Sequence, residues 1–206
     1  MLETNPGWKR LSELKPKVMS LRDMSEDTKE KIRSTTKYSL ESNPNQTVPE
    51  CFEKCMIAIM AEEYVKEHVD GIINHGQEDL EDPYTYAYDV IAHPKYSGLR
   101  IEVKTHQSNS KWVVVNSGMD GDCPGTSGIN LGPFLKFGVA DIIIIFKTEK
   151  IALNTFRMIP YILADQYALS TKNGSIRKSK FDGYYLTGRI KRDKNFCFKV
   201  FTSKDF

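Results

Sequence analysis

The sequence has no hydrophobic run long enough to cross a membrane. The longest largely apolar stretch, "VADIIIIF", is far shorter than the ~20 residues that a transmembrane helix needs. The N-terminal "MLETNPGWKRLSELKPK" contains no apolar segment of the kind found in a secretory signal peptide. We therefore expect a cytoplasmic, intracellular protein that does not bind a membrane.

Cysteine is scarce, with four residues in a chain of 206. A disulfide-stapled scaffold uses cysteine more densely, so reduced thiols are the simpler expectation. Cys51 and Cys55 lie one helical turn apart, but no second cysteine pair or His-x-His motif lies nearby to complete a zinc site. We interpret them as apolar filling. The chain also lacks the "GxxxxGK[ST]" phosphate-binding loop, which argues against an ATP-driven motor.

Charge is nearly balanced overall but unevenly distributed along the chain. The formal net charge is +2, with 27% charged and 40% hydrophobic residues, which is typical of a soluble globular protein. Residues 172–205 carry ten basic and three acidic side chains, whereas residues 62–89 carry nine acidic side chains and one lysine. A basic end beside an acidic middle suits a protein that contacts a polyanion through a metal site, although ordinary surface charge gives the same pattern.

The order of local patterns predicts an α/β fold with a mixed central β-sheet flanked by helices. Residues 1–48 read as an N-terminal helical arm, and 49–206 as one domain with a core at 49–150 and a β-rich basic extension at 151–206. Within the core the predicted order is αβββαβ. The predicted core elements are a helix from Pro49 to Gly71, strands "YAYDVIA", "LRIEVKT" and "KWVVVNS", a short helix "INLGPFLKFG" and a buried strand "VADIIIIFK". In the extension we expect strands at "FRMIPYIL", "GYYLTGRIK" and "FCFKVF", the last two paired through "RDKN".

The stretch "RIEVKT" places a carboxylate and an ammonium group on one face of a strand. Side chains alternate along a strand, so Ile101 and Val103 face one way, and Glu102 and Lys104 face the other. A hairpin from the preceding strand would bring Asp89 alongside them. Two carboxylates in one small space repel each other and favour a cation such as Mg²⁺ between them. The alternative is an ion pair on a solvated edge of the sheet.

The predicted helix adds a third acid. At 100° per residue, Phe52, Met56, Ile59 and Glu63 fall within an arc of about 60°, whereas Glu62 lies off that arc. A carboxylate in the middle of an apolar stripe is costly unless it has a partner. Glu63 is therefore expected to point at the sheet, or otherwise to pair with a nearby lysine or tyrosine.

These residues resemble the PD-(D/E)XK nuclease superfamily, which has the restriction-endonuclease-like fold. Asp89 matches the first acid, Glu102-Val103-Lys104 matches the "ExK" element and Glu63 matches the helical glutamate, although Tyr88 replaces the usual proline. The resemblance implies that Asp89, Glu102, Glu63 and the Val103 carbonyl bind Mg²⁺, with Mn²⁺ able to substitute. It places Lys104 near the attacking water.

Further side chains are candidates for contact with nucleic acid. His106 continues the face of Glu102 and Lys104, and Lys136 lies on the second core helix, although a structural histidine and a solvated lysine are the alternatives. The basic segments "SIRKSK" and "GRIKRDKN" could hold a phosphate backbone or form a solvated hairpin. The residues concerned are His106, Lys136, Arg177, Lys178, Lys180, Arg189, Lys191 and Arg192.

The resemblance implies an Mg²⁺-dependent endonuclease that hydrolyses phosphodiester bonds, with DNA as the expected substrate. A restriction-type or a phage host-DNA-degrading enzyme fits the layout, and a homodimer is possible. Two alternatives stay open: a catalytically inactive DNA-binding or structural module on the same fold, and an unrelated α/β interaction domain in which "RIEVKT" is an edge strand.

Overall fold

The structure is a computed structural model that describes residues 2–74, 88–107, 110–181, 183–191 and 194–206. None of the helices in these ranges combines the length and the apolar character that a bilayer-spanning segment needs. The predicted mixed sheet flanked by helices is confirmed.

Three of the four α-helices in the described residues lie before residue 70, and strands predominate after it. The helices are α1 Pro6–Ser12, α2 Glu26–Ser42, α3 Val48–His68 and α4 Gly132–Phe137. The strands are β1 Lys17–Ser20, β2 Ile72–Ile73, β3 Val90–Ile91, β4 Arg100–His106, β5 Val114–Asn116, β6 Ile129–Asn130, β7 Ile142–Ala152, β8 Thr155–Ala164, β9 Ile176–Lys178, β10 Tyr184–Leu186 and β11 Phe198–Val200.

The main sheet has the order β1-β8-β7-β4-β3-β2, and β11 pairs with the far half of β8. Strands β4 and β7 are parallel, while the other neighbours are antiparallel. Asp141 fixes the parallel pair at its start, because its carboxylate accepts hydrogen bonds from the Arg100 backbone at 2.8 Å and from the Arg100 guanidinium. β4 is therefore an interior strand, and the reading of "RIEVKT" as an edge strand is wrong.

A second, smaller sheet has the order β6-β5-β10-β9. It includes the "KWVVVNS" strand, which was predicted to be the third strand of the core. The main sheet instead obtains its additional strand from β2, a two-residue segment after α3. The predicted pairing of "GYYLTGRIK" with "FCFKVF" is also wrong: Tyr184–Leu186 pairs within the second sheet, and Phe198–Val200 pairs with β8.

The run of four isoleucines in β7 separates two hydrophobic layers. Ile142, Ile144 and Phe146 pack with the helices α1 to α3, whereas Ile143 and Ile145 pack with α4 and the second sheet. Because both faces of this strand are covered, its sequence is continuously apolar rather than alternating. β4, the parallel neighbour of β7, is thereby held at the centre of the sheet.

Helix α3 carries local signals that fix its start. The Thr47 hydroxyl accepts a hydrogen bond from the Glu50 backbone, and the Glu50 carboxylate accepts one from the Thr47 backbone, which completes a capping box. Pro49 lies in the first turn, as the sequence predicts. The helix therefore begins at Val48. Its buried side chains pack on β4 and the neighbouring strands.

Side chains from the predicted N-terminal arm are part of the same core as α3. Trp8, Leu11 and Leu14 are buried with it, as are Met19 of β1 and Ile32 of α2. β1 also extends the main sheet by pairing with β8. The first 48 residues thus supply one margin of the sheet, and the division of the chain at residue 48 stays a prediction.

We expect Ile144→Ala to lower the free energy of unfolding by about 2–5 kcal/mol, because Ile144 is fully buried and truncation leaves a cavity between packed layers. Ile151→Ala is the matched control on the same strand. Since Ile151 is 48% exposed, its loss should cost less than about 1 kcal/mol. Urea unfolding measures both, and equal effects would contradict the two-layer packing of β7.

Candidate active site

A cavity of about 750 Å³ lies between α3, the main sheet and the second sheet. It opens beside the start of β3, which pairs with only the first two residues of β4. Beyond that point β4 continues without a described strand on this side. The ionisable side chains lining the cavity are Lys54, Glu62, Asp89, Lys104 and His106.

Asp89 immediately precedes β3 and is held in place by β4. Its backbone N–H donates to the Ile101 carbonyl at 2.9 Å, and its carboxylate Oδ2 accepts from the Val103 N–H at 2.7 Å. The carboxylate is thereby held at the same level of the sheet as the predicted "ExK" residues.

Glu102 and Lys104 form an ion pair on the face of β4 opposite Ile101 and Val103. The Glu102 side chain is only 3% exposed, so this is not the solvated ion pair that the alternative reading required. Its second oxygen, Oε2, is buried and has no hydrogen-bond partner among the described residues. Burial and the nearby Asp89 charge raise the pKa of Glu102 to about 7.

Lys104 remains a cation in this setting. Burial by itself lowers the pKa of its ammonium group, but the charges of Asp89 and Glu102 outweigh that effect and raise the pKa above its ordinary value. The result is a fixed positive charge at the wall of the cavity.

The helical acid at the cavity is Glu62. The predicted pointing of Glu63 at the site is wrong, and the alternative, pairing with a nearby lysine, is what the structure shows. Glu62 is paired with Lys31 of α2 at 2.7 Å, and burial followed by the Asp89 charge raises its pKa to about 7. Glu63 instead accepts a hydrogen bond from Thr28 Oγ1 at 3.1 Å and pairs with Lys66 at 2.6 Å.

The error has a physical cause. α3 is buried around much of its circumference, so its apolar residues do not define one narrow stripe. A better signal is the line of Lys54, Ala58 and Glu62, which are spaced four residues apart and all line the cavity. Lys31 was missed entirely, because nothing in the sequence links it to Glu62.

The remaining predicted contacts are spread over the molecule. His106 is buried at the cavity, with Nε2 3.1 Å from the Ser110 carbonyl oxygen. Lys136 lines a different depression, beside Asp120 and Asp122. The other predicted cations are exposed on or near the second sheet, namely Arg177, Lys178, Lys180 and Arg189, or lie just beyond it at Lys191, whereas Arg192 lies outside the described residues.

The donor set suits a hard divalent cation. The Asp89 carboxylate at the cavity repels both Glu62 and the buried Glu102, and Glu102 Oε2 is a buried oxygen in need of a partner. Within the described ranges, no group of three or more His, Cys, Asp or Glu is spaced to hold a metal ion by itself. A cation here would therefore take one or two carboxylates and complete its shell with carbonyl, water or phosphate oxygens, as Mg²⁺ commonly does.

Fold and site together define an α/β protein whose cavity combines paired carboxylates with a lysine on neighbouring strands. The chain belongs to the bacteriophage T4 endonuclease IV family, whose model matches residues 1–188. It is 47% identical over 187 residues to "Endonuclease IV" of Enterobacteria phage T4, an alignment that covers 91% of this chain and 100% of the relative. No solved structure matches. The span matched by the family model contains the positions of Glu62, Asp89, Glu102 and Lys104.

The raised pKa values of Glu62 and Glu102 predict that the contribution of these two groups to stability falls as pH rises from about 4.5 to about 7. In this interval the folded chain keeps protons on Glu62 and Glu102 that the unfolded chain has released, so raising the pH favours unfolding. Glu102→Gln should make the decline smaller, as measured by urea unfolding at pH 5, 6, 7 and 8.

Glu26→Gln is the control, because the exposed Glu26 carboxylate bonds Lys29 and its pKa lies below the ordinary value. Its removal should leave the decline above pH 4.5 in place. Parallel stability curves for the unaltered protein and Glu102→Gln would show that the buried carboxyl does not titrate as described.

Proposed function

We propose that this protein is an Mg²⁺-dependent endonuclease that hydrolyses phosphodiester bonds in DNA. The observation that carries the proposal is the meeting of Asp89 and Lys104 at one cavity, with Glu102 buried directly beside both, in a chain of an endonuclease family. Carboxylates that need a cation, beside a permanent ammonium group, suit an anionic phosphodiester substrate.

The proposed metal ligands are Asp89, Glu102 and the Val103 carbonyl oxygen. A bound Mg²⁺ ion, or Mn²⁺ in its place, would supply charge neutralisation at the phosphate and a lower pKa for a bound water. The partnerless Oε2 of Glu102 supports this assignment, since a cation would satisfy a buried oxygen that nothing else in the described chain satisfies.

Lys104 is suited to stabilise charge rather than to accept a proton. Because its pKa is held above the ordinary value, the amine form is scarce at neutral pH. Its ammonium group can hold the attacking water or the phosphate oxygens, on which negative charge grows during in-line attack. Glu62 supplies a further acceptor at the opposite wall, and Lys31 fixes its orientation.

The order of elements supports membership of the PD-(D/E)XK superfamily. α3, β2, β3, β4, α4 and β7 follow one another in the main layers as αβββαβ, with β4 and β7 parallel. Asp89 stands before the second of these strands, and the "ExK" element lies on the third. Since the 47% identical relative is a phage protein, we favour the phage type of enzyme over a restriction enzyme.

The test of this function is cleavage of supercoiled, linear duplex and single-stranded DNA, and of RNA, in Mg²⁺, Mn²⁺ and EDTA. We expect internal cutting of DNA in either metal and none in EDTA. Asp89→Asn and Lys104→Ala should each slow cutting by roughly 100-fold or more, because each removes a charge aimed at the reacting phosphate. Binding without cutting in every metal would favour an inactive DNA-binding module instead.

The helical acid can be tested by a pair of adjacent substitutions. Glu62→Gln should reduce the rate of DNA cleavage, because it removes a carboxylate from the cavity and leaves Lys31 without its partner. Glu63→Gln should retain most of the rate, since Glu63 contacts Thr28 and Lys66. The reverse result would restore the assignment made from the sequence.

A further inference from the structure

An aromatic pair, one ring exposed and the other half-buried, lies on the second sheet beside the proposed catalytic cavity. Trp112, two residues before β5, is 60% exposed. Its ring packs against that of Tyr185 on β10, with centroids 4.9 Å apart and an angle of 67° between the planes. The Trp112 ring therefore offers an open surface, and the half-buried Tyr185 ring supports its edge.

The strand register places this pair on the outer face of the second sheet. Val115 of β5 is buried in the core, so Val114 points to the other face of the sheet. Trp112 precedes the strand, and its ring contact with Tyr185 places it on that same face. Tyr185 is the cross-strand partner of Val114, and residues opposite one another share a face. The pair is therefore displayed on a surface rather than used to fill the core.

That face is continuous with the cavity. Val114 is itself a lining residue of the cavity that contains Asp89 and Lys104, and so is Asn130 of the adjacent strand β6, on the same face. A ligand leaving the cavity across β5 would meet Trp112 and Tyr185 next, because neighbouring strands are only about 5 Å apart.

Positive charge borders the aromatic pair on its far side. Arg177 of β9 is the cross-strand partner of Tyr185, and Lys178 and Lys180 follow it on the exposed surface. Within the part of the chain that the structure describes, none of these three cations forms an ion pair with a carboxylate. Exposed aromatic rings flanked by cations are the features by which proteins hold nucleic-acid strands, through base stacking and phosphate contacts.

We propose that Trp112 and Tyr185 form a base-stacking platform that holds one nucleobase of the substrate beside the cavity, while Arg177 contacts the backbone. The proposal rests on the proposed nuclease function and adds substrate-positioning residues to it. The platform fixes the strand so that a phosphate a short distance along it lies over Asp89, Glu102 and Lys104.

The test compares binding of two single-stranded oligonucleotides of equal length and charge, one with every base and one with abasic sites throughout its central part. Fluorescence polarisation of a labelled strand gives the affinity. To prevent cleavage, it is measured with the Lys104→Ala variant and, separately, with the unaltered protein in EDTA. We expect the abasic strand to bind roughly 5- to 150-fold more weakly, the range for loss of stacking on an aromatic side chain.

Trp112→Ala should weaken binding of the complete strand and bring the ratio of the two dissociation constants close to one. Trp112→Phe should keep much of that ratio, because an aromatic ring remains. Tyr38→Ala is the control, because Tyr38 is 53% exposed on α2, outside the second sheet. If the ratio of dissociation constants is unchanged in Trp112→Ala, the proposal is overturned. It is also overturned if Tyr38→Ala lowers that ratio as much as Trp112→Ala does.

Intrinsic fluorescence supplies a second measurement. The chain has two tryptophans, and Trp8 is buried with 6% exposure, so quenching by acrylamide reports mainly on Trp112. The complete strand should protect Trp112 from acrylamide and the abasic strand should not. Cleavage by the unaltered protein is scored separately: cutting with an unchanged binding ratio in Trp112→Ala rejects the platform alone, whereas base-dependent binding without cutting rejects the nuclease alone.

Discussion

The site depends on a carboxylate that is buried beside another carboxylate. Glu102 lies on an interior strand with a 3% exposed side chain, next to Asp89, and Lys104 satisfies only one of its oxygens. Burying such a group costs stability unless a counter-charge compensates it. The fold tolerates this arrangement because β7 and the two hydrophobic layers around it fix β4 in place. The free-energy cost of burying this carboxylate is therefore located at the point where the proposed cation and phosphate would bind.

Three elements distant in sequence meet at the cavity. A helix supplies Glu62, the main sheet supplies Asp89 and Lys104 with Glu102 buried behind them, and the second sheet supplies β5 and β6. Within the described residues, β3 covers only Arg100 and Ile101 of β4, so the following residues of β4 lie beside α3 and the second sheet. The face of β5 that lines the cavity also carries the Trp112–Tyr185 contact.

Local patterns in the sequence were sufficient to identify α3, β4 and β7, since capping, alternation and a continuous apolar run are properties of neighbouring residues. Local patterns also predicted that Asp89 lies beside Glu102 and Lys104, because a hairpin is a short-range structure. What failed depended on distant partners. No local pattern in the sequence indicates that "KWVVVNS" belongs to a second sheet, or that "FCFKVF" pairs with β8. Glu62 was passed over because a helix buried on several sides has no single apolar stripe from which to measure orientation.

Strand β8 joins the two ends of the chain. Its first half pairs with β1 and its second half with β11, and Lys199 of β11 donates a hydrogen bond to the Ser12 carbonyl at 2.9 Å. A chain shortened before residue 198 would leave the backbone donors and acceptors of Ile162–Ala164 uncovered on one side. An unpaired edge strand of this kind can pair with a strand of a second molecule. By covering this edge of β8, the C-terminal segment disfavours such association.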